Sequence, residues 1–429
     1  MFDGKSYEAI LKELYGFRRL GIRPALPPVK KLLKALGDPH KKQRFIHVAG
    51  TNGKGSTVAM IAAVLKRAGY KTGAFYSPHV SDYRERMQIN AKMISKKEVV
   101  ETLRWMGRRW SDAQRNNKSL PGKITFFEWG VALAFCYFAR SKVDVSVIET
   151  GMGGRFDATN VIDPLLSVIT NISHEHTKFL GNTKAKVAAE KAGIIKKGRP
   201  VVLGDKTTSV REVIKKIARN RNAKLYMMDE DFNITGGGRF SSGGISLKLQ
   251  PAMAGRVQIF NAALAAQAVL CAGMPRVLPK HIENGIAEAR LPGRFERVKN
   301  GREVIYDVAH NPASFRELAH NMKTLYPGKR LDVVIGILNG KDYRKIMKII
   351  APFCRKMYCV KPEDYRALPA DLLADAARSA GILATAIGNP DGLALLASGK
   401  GPLLVTGSFT TLAAIKKFLS PRSARRTAS

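Results

Sequence analysis

The sequence predicts a two-domain α/β protein built on mostly parallel sheets, and three observations predict it. Short apolar runs that read as buried strands alternate with helical stretches along most of the chain. The first of these strands runs straight into a glycine-rich turn and then a helix. After Leu291-Pro292-Gly293 the strand–helix alternation starts afresh. A length of 429 residues suits two such domains, at roughly 100–200 residues each.

Residues 5–36 place apolar side chains at helical spacing (Ile10, Leu11, Leu14; Leu32, Leu33, Leu36), interrupted by Gly21 and by Pro24, Pro27 and Pro28. Phe45–Val48 reads as a short buried strand, followed by the turn Gly50–Gly55 and a helix over Ser56–Ala68 that Gly69 closes. Further strands are predicted at Val143–Ile148, Leu165–Thr170 and Pro200–Leu203, the first leading into a second glycine-rich turn, Gly151–Gly154. Residues 233–257 are rich in Gly and Ser with alternating apolar positions, which predicts a β-hairpin excursion, and Phe260–Gly273 reads as an Ala-rich helix. Beyond the break come strand Glu303–Tyr306, helix Ser314–Tyr326, strand Asp332–Ile337, helix Tyr343–Ala351, and strands Lys356–Val360 and Leu403–Thr406. The expected division is residues 1–292, residues 293–420, and a basic tail over 421–429 whose composition favours disorder.

Composition narrows the function classes. Hydrophobic residues make up 45% and charged residues 25%, which excludes a disordered chain, a collagen-like fibre and a coiled-coil rod. Cys136, Cys271, Cys354 and Cys359 form no CxxC pair and lie in apolar surroundings, against a disulfide scaffold or structural zinc and in keeping with a reducing cytosol. The longest apolar run, Gly130–Ala139, is far short of the ~20 residues that span a bilayer. The N-terminus has acidic residues and no apolar signal region. A cytoplasmic protein without membrane association is therefore expected. Lys+Arg 72 against Asp+Glu 34 leaves a net charge of +38, which suggests anionic partners: nucleic acid, acidic lipid, or small polyanions such as nucleotides and polycarboxylates. The basic residues are dispersed as doublets such as Lys30-Lys31, Arg108-Arg109 and Lys215-Lys216, and no stretch interleaves Arg with aromatics as a nucleic-acid platform would. Charge alone does not choose the partner.

The chemistry-bearing segment is His47-Val48-Ala49-Gly50-Thr51-Asn52-Gly53-Lys54-Gly55-Ser56-Thr57. Backbone N–H groups of such a turn, together with a helix N-terminus, make an anion cradle. Lys54 can neutralise phosphate charge, and the Ser56 hydroxyl can reach a Mg²⁺ that bridges phosphates. The spacing is not that of the usual P-loop, because two residues rather than four separate Gly50 from Gly53 and Gly55 intervenes between Lys54 and Ser56. Glu149 ends a buried strand beside the turn Gly151–Asn160. A carboxylate at the C-terminal end of a parallel strand faces the ligand crevice and can complete Mg²⁺ coordination. His174 and His176 are two apart and share a face if their segment is extended, but no obvious third and fourth ligand points to zinc. In Thr183–Ile195, Val187, Glu190, Lys191 and Ile194 share one helical face, and Lys191 taken alone reads as a solvated lysine.

The loop GTNGKGST resembles the ATP loop of the Mur ligase superfamily, and the longer form HVAGTNGKGS resembles its folate branch, the folylpolyglutamate and dihydrofolate synthases. The resemblance runs from about Arg23 to about Phe409. It implies a P-loop-type ATP- and folate-binding N-terminal domain, like the central domain of Mur ligases, and a smaller Rossmann-like C-terminal domain. It implies His176 as ligand of a second Mg²⁺ and, through the match EKAGI, a carbamylated Lys191. Ser56, Glu149, His176 and Lys191 are then the metal set, and Lys54, His176, Lys191 and His310 the residues expected to carry catalysis. Thr51, Asn52, Gly53, Lys54, Gly55, Ser56 and Thr57 are expected to hold the nucleotide. Asn261 is implied near the adenine, Arg294 at the hinge, and Asp307, His310 and Asn311 on ribose and phosphates, with the nucleotide lying between the domains. On the folate side the resemblance covers Tyr76-Ser77-Pro78-His79, the segment with Arg86, and Thr125-Phe126-Phe127-Glu128. Phe127 is expected to pack on a flat pterin ring, and Asp157 and Ser408 complete the expected substrate set. Two positions depart from the family pattern, Gly340 where an Asp is common and Thr410 where a Tyr is common.

The activity implied is ATP-dependent addition of L-glutamate to dihydropteroate, to the γ-carboxylate of a reduced folate, or to both, through an acyl phosphate with release of ADP and phosphate. The expected partners are these small molecules, ATP and Mg²⁺, with no nucleic acid, no membrane and a monomeric state. The competing readings are a Mur-type ligase acting on a cell-wall precursor, a basic P-loop ATPase that binds nucleic acid, and a folate-binding protein without catalysis.

Overall fold

The computed structural model describes residues 1–21, 25–173, 177–388, 396, 399 and 401–419. The segment with His174 and His176, and the basic tail over 421–429, lie outside the described residues. The chain forms two compact units. One comprises Met1–Pro78, Arg84–Ala252 and Ile259–Ala289, and the other His79–Tyr83, Met253–Gln258 and Arg290–Ser429.

The first unit holds strands β1 (Phe45–Ala49), β2 (Thr72–Phe75), β3 (Met87–Ile89), β4 (Lys92–Met93), β5 (Val145–Glu149), β6 (Leu166–Ile169), β7 (Val201–Leu203) and β8 (Leu225–Met227). They form one sheet in the order β4-β3-β2-β5-β1-β6-β7-β8. The run from β2 to β8 is parallel, and β3 and β4 extend it antiparallel at one edge. Every residue of β1, β2, β5, β6 and β7 is buried. Helices cover a parallel sheet on both faces, so its strands read as continuous apolar runs rather than as alternation. The short strand β2, Thr-Gly-Ala-Phe, has no such run and escapes a sequence reading although it sits inside the sheet.

Helix Phe126–Arg140 is apolar all round, and twelve of its fifteen residues are buried. This is where the longest apolar run goes: a helix wrapped by protein rather than a membrane span. Its start is set by a capping box, in which Glu128 N–H donates to Thr125 Oγ1 (3.3 Å) and Thr125 N–H donates to Glu128 Oε2 (2.7 Å). The Gly/Ser-rich excursion has one strand more than a hairpin: β9 (Phe232–Ile234), β10 (Arg239–Ser242) and β11 (Ile245–Lys248) form an antiparallel three-stranded sheet.

The second unit is a six-stranded sheet of β12 (Glu296–Asn300), β13 (Arg302–Tyr306), β14 (Leu331–Ile335), β15 (Cys354–Val360), β16 (Ala384–Ile387) and β17 (Leu403–Thr406). The order is β12-β13-β17-β14-β15-β16, parallel except for β12. Strand β12 (ERVKN) is polar, as suits an edge, and is held by pairing to β13 and by an Arg297–Glu303 ion pair rather than by an apolar pattern. The four cysteines are free thiols, and burial pushes those of Cys136, Cys354 and Cys359 up to about 12.

An ionic cluster around a buried Arg302–Asp332 pair, with the largely exposed Arg355 at its rim, ties this sheet together. Asp332 on β14 is 3% exposed and accepts from Arg355 Nε (3.1 Å), Arg355 Nη2 (2.7 Å) and Arg302 Nη2 (3.3 Å). Arg302 also donates to the carbonyls of Gly401 and Leu396. Removing one partner of a buried pair leaves the other charge uncompensated, which costs about 3–5 kcal/mol. Asp332→Ala is therefore expected to lower the stability of the second unit by that amount, read as a lower urea midpoint at unchanged slope.

Candidate active site

Both sheets place expected site residues where strand order reverses, the position at which open α/β sheets bind ligands. In the first unit β1 lies between β5 and β6, and all three chain ends leave the sheet on one edge. The register sets Val48 opposite Glu149 and Ala49 opposite Ile169. The glycine turn after β1, the carboxylate ending β5 and the segment after β6 are brought together by that pairing alone.

Two glycines are required by this packing. Gly50 has a φ of +152°, and a Cβ there would lie 1.8 Å from Thr170 Oγ1. Gly53 has a φ of +84°, and a Cβ would lie 2.5 Å from Asn261 Oδ1. The turn is thus pressed on one side by the strand end after β6 and on the other by helix Arg256–Cys271, which carries Asn261.

Gly53 precedes helix Lys54–Arg67, whose first turn carries Gly55, Ser56 and Thr57, all buried. The hydroxyls of Ser56 and Thr57 are buried and find no hydrogen-bond partner among the described residues. An unsatisfied buried hydroxyl is costly, so two of them at a helix N-terminus fit a site completed by a bound anion and its cation. Lys54 is half-buried, and its Nζ donates to the Thr51 carbonyl (3.2 Å), folding the side chain back over the turn.

Glu149 is 5% exposed and accepts from the Ser77 N–H at 3.1 Å. Lys191, which its helical pattern alone reads as solvated and the resemblance places in the metal set, is 1% exposed, and its Nζ donates to the Gly50 carbonyl at 2.8 Å. Its helix, Lys184–Lys191, packs Val187 and Ala188 into the core, which turns Lys191 inward as well. Ser56, Glu149 and Lys191 are oxygen or nitrogen donors of the kind a hard cation takes once the lysine carries a carboxylate-like group. An unmodified ammonium is a donor only and does not ligate a cation.

The structure adds positioning residues that the sequence reading passed over. The Asn171 carboxamide clamps one peptide of the turn from both sides: Asn52 N–H donates to Oδ1 (3.0 Å), and Nδ2 donates to the Asn52 carbonyl (3.0 Å). Thr170 Oγ1 donates to the same carbonyl (2.6 Å), and Thr51 N–H donates to the Asn171 carbonyl (2.8 Å). Ser173 N–H donates to Thr51 Oγ1 (3.0 Å), and Ile172 N–H donates to Asp205 Oδ2 (2.7 Å). The available signal was the switch from an apolar strand to Thr170-Asn171 at its C-terminal end. A small misplacement of a catalytic loop costs up to about 10²-fold in rate. Asn171→Ala is expected to lower kcat/KM for ATP by about 10–100-fold and to leave KM for the pterin substrate unchanged, measured by steady-state kinetics.

On the expected folate side, a Cβ at Gly151 would lie 2.5 Å from Phe127 Cζ, so this ring lies against the turn after β5, 6.1 Å from the Phe75 ring. Arg86 is buried with its guanidinium 5.2 Å from the Phe126 ring. Ser77 and Pro78 follow β2, and the Ser77–Pro78 peptide is cis. Asp157 is buried, and burial pushes its carboxyl up, offset by the Thr159 hydroxyl (2.5 Å) and by the N–H groups of Met152 (2.8 Å) and Thr159 (3.0 Å). His47 Nε2 lies 2.8 Å from the same Thr159 hydroxyl, and burial pushes His47 down to about 3, so it is neutral at pH 7. Thr159 donates to Asp157, so it accepts from His47 Nε2–H. This chain ties β1 to the turn Gly151–Asn160.

In the second unit Asp307, His310 and Asn311 follow the C-terminal end of β13 and Ser408 that of β17, while Arg294 precedes β12. Asp307 accepts from the N–H groups of Ala309 (2.9 Å) and Phe295 (3.0 Å). Burial pushes its carboxyl up against those two bonds and the Arg294 charge. His310 Nδ1 lies 2.8 Å from the Val308 carbonyl, so it carries the proton there and leaves Nε2 as the other ring nitrogen. Arg294 and His310 both approach the Phe409 ring, at 5.5 and 6.3 Å. Asn311 caps helix Pro312–Leu325, and Ser408 caps helix Phe409–Phe418 while pairing with Thr411 at 2.7 Å. His79 lies in this unit, 5.9 Å from the Tyr83 ring. Gly340, at one of the two positions that depart from the family pattern, has a φ of +81°.

Comparison with known proteins identifies the family and the fold. The Mur ligase middle domain matches residues 48–269, and the Mur ligase, glutamate ligase domain matches residues 293–407. The chain therefore belongs to the Mur ligase family. It is 34% identical to the dihydrofolate synthase/folylpolyglutamate synthase of Bacillus subtilis over 96% of this chain and 99% of that protein, and 32% identical to the Escherichia coli enzyme of the same description over 87% and 86%. Among solved structures, the folylpolyglutamate synthase of Thermotoga maritima has a TM-score of 0.85 at 32% identity, covering 97% of both chains. Escherichia coli FolC in complex with DHPP and ADP has a TM-score of 0.87 at 30% identity, covering 99% of both. Within the Mur ligases, then, the chain is a member of the dihydrofolate synthase/folylpolyglutamate synthase group, and it is a ligase.

Proposed function

We propose that this ligase joins the amine of L-glutamate to the carboxylate of dihydropteroate, to the γ-carboxylate of a reduced folate, or to both, driven by cleavage of ATP to ADP and phosphate. ATP-dependent ligation of glutamate to folates is the activity of its group. The observation that carries the site reading is the turn Gly50–Gly55, with two orphaned buried hydroxyls at its helix N-terminus. A related enzyme from Yersinia pestis has been solved with AMPPNP and a Mn ion, which supports a nucleotide and a divalent cation here.

A carboxylate is a poor electrophile, so its oxygen first attacks the γ-phosphorus of ATP, giving an acyl phosphate and ADP. The glutamate amine then attacks the acyl carbon, phosphate leaves, and one proton is released. Little covalent chemistry falls to the protein, which positions the reactants and stabilises charge on the transferring group. The N–H groups of residues 51–57 cradle the phosphates, and Lys54 swings from the Thr51 carbonyl to the γ-phosphate. Ser56, Glu149, His176 and a carbamylated Lys191 hold Mg²⁺, two ions in all, which when bound neutralise phosphate charge. Asn261, Arg294, Asp307 and His310 act on the nucleotide. Phe127, Arg86, Ser77, Pro78, His79 and Asp157 border the acceptor, and Ser408 the incoming amino acid. The protein acts as a monomer in the cytoplasm.

The test is ADP release by purified protein with glutamate and one acceptor at a time. Turnover with dihydropteroate, tetrahydrofolate or both is expected, and the comparison assigns one or both activities. Turnover with a UDP-linked cell-wall precursor alone, or ATP hydrolysis stimulated only by nucleic acid, overturns the reading.

A further inference from the structure

The first unit contains a cavity of about 710 Å³ that the mechanism does not use. This is within the range of small-molecule sites, about 300–1,000 Å³. Its apolar lining comes from Leu36 and Pro39 after helix Pro27–Ala35, from Trp105, and from Cys136. Its polar lining is basic. Arg104 and Arg108 come from helix Lys96–Asn116 and Arg140 from the last turn of helix Phe126–Arg140, with Glu101 as the one lining acid. Residues 101, 104, 105 and 108 follow the i, i+3, i+4, i+7 pattern of one helical face.

The charges are unevenly compensated. Glu101 is 3.9 Å from Lys97 and Arg108 is 3.6 Å from Asp3, so each has a partner of opposite sign. Arg104 Nη2 donates to the Lys5 carbonyl (2.9 Å), and Arg140 Nη1 reaches the Thr102 hydroxyl only at 3.4 Å. Both acceptors are neutral, and among the described residues no carboxylate lies within ion-pair distance of either guanidinium. Arg104 Nε is buried and has no acceptor among the described residues. Half-buried Trp105 lines the same cavity and offers it an aromatic ring. A guanidinium prefers a planar, charged oxygen acceptor, and an indole face prefers a flat apolar body.

We propose that this cavity binds a small amphipathic anion: an aromatic ring against Trp105 carrying one carboxylate or phosphate held by Arg104 and Arg140. The cavity is separate from the candidate active site. Phe127 and Ala139, which lines the cavity, lie on the same helix twelve residues apart, about 18 Å along its axis. The site takes part of the excess of +38 in charge that the phosphate loop does not use.

The probe is para-iodobenzoate, soaked into crystals and located by the anomalous scattering of iodine, with affinity measured by calorimetry in the presence of saturating MgADP and dihydropteroate. Iodine density over Trp105 with the carboxylate at Arg104 and Arg140 is expected. Affinity is expected to fall at least about tenfold in the Arg104→Gln/Arg140→Gln double variant and to weaken as salt rises. The uncharged para-iodobenzyl alcohol, which tests the charge requirement without any substitution, is expected to leave the cavity empty. No iodine in the cavity, equal binding of the alcohol, or unchanged affinity in a folded double variant overturns the proposal.

Discussion

Lys54→Ala is expected to reduce ligation, measured as ADP release with glutamate and a saturating pterin acceptor, by at least about 10²–10³-fold, the cost of losing one preorganised charge on a developing anion. The reasoning begins with what Lys54 does in the free protein. It is half-buried, makes a bond to the Thr51 carbonyl at 3.2 Å, and stands in the first turn of helix Lys54–Arg67. Alanine is a good helix former, so far-ultraviolet circular dichroism and the urea midpoint should match wild type. The turn keeps its shape through contacts that do not involve the ammonium. These are the Asn171 clamp on Asn52, the Thr51–Ser173 pair, and the close packing of Gly50 on Thr170 and Gly53 on Asn261. Lys54→Arg should not restore the rate, because a planar fork does not replace a compact point charge in a tight turn. A folded Lys54→Ala protein with wild-type kcat would remove the phosphate-loop mechanism.

Lys191→Ala is expected to abolish ligation. Here the fold and the chemistry must be separated, because Lys191 is 1% exposed and its Nζ donates to the Gly50 carbonyl. Truncation empties space in the core beneath the turn and removes a donor from a carbonyl of that turn, at a cost of about 2–5 kcal/mol. Lys191→Met keeps the length of the side chain and fills the space. It is expected to recover most of the stability, seen in the urea midpoint, while staying inactive. Partial rescue of Lys191→Ala by a short-chain carboxylate and incorporation of isotopically labelled bicarbonate by the wild type alone would support the carbamate. Wild-type rates in Lys191→Ala would refute it.

Several particulars show what could be read from the residues. The loop after β1 was legible because a buried strand, paired glycines, a lysine and a hydroxyl coincide within eleven residues, and each has a local reason to be there. Glu149 was legible because an acid ends an apolar strand. Strands β2 and β12 were not, since one is too short and small to make an apolar run and the other is a polar edge held by its neighbour. Lys191 was not legible from its residue type, and only the EKAGI resemblance pointed to it: four carbons and an ammonium look the same on a solvated face and beneath a glycine turn, and the direction of its helix distinguishes them. Glu128, read among the folate-side residues, also closes a capping box, a signal present in Thr125-x-x-Glu128.

By itself the sequence determined the class of fold, the family, and the glycine turn with its lysine and hydroxyls. Those depend on periodicity and on neighbours close along the chain. The tertiary structure alone decided that Asn171 clamps Asn52 across 119 positions, that Lys191 meets Gly50 across 141, and that Arg302 and Arg355 converge on Asp332. Contacts of that span follow from strand order and register, which bring remote segments to one sheet edge and leave no periodic trace in the residues themselves.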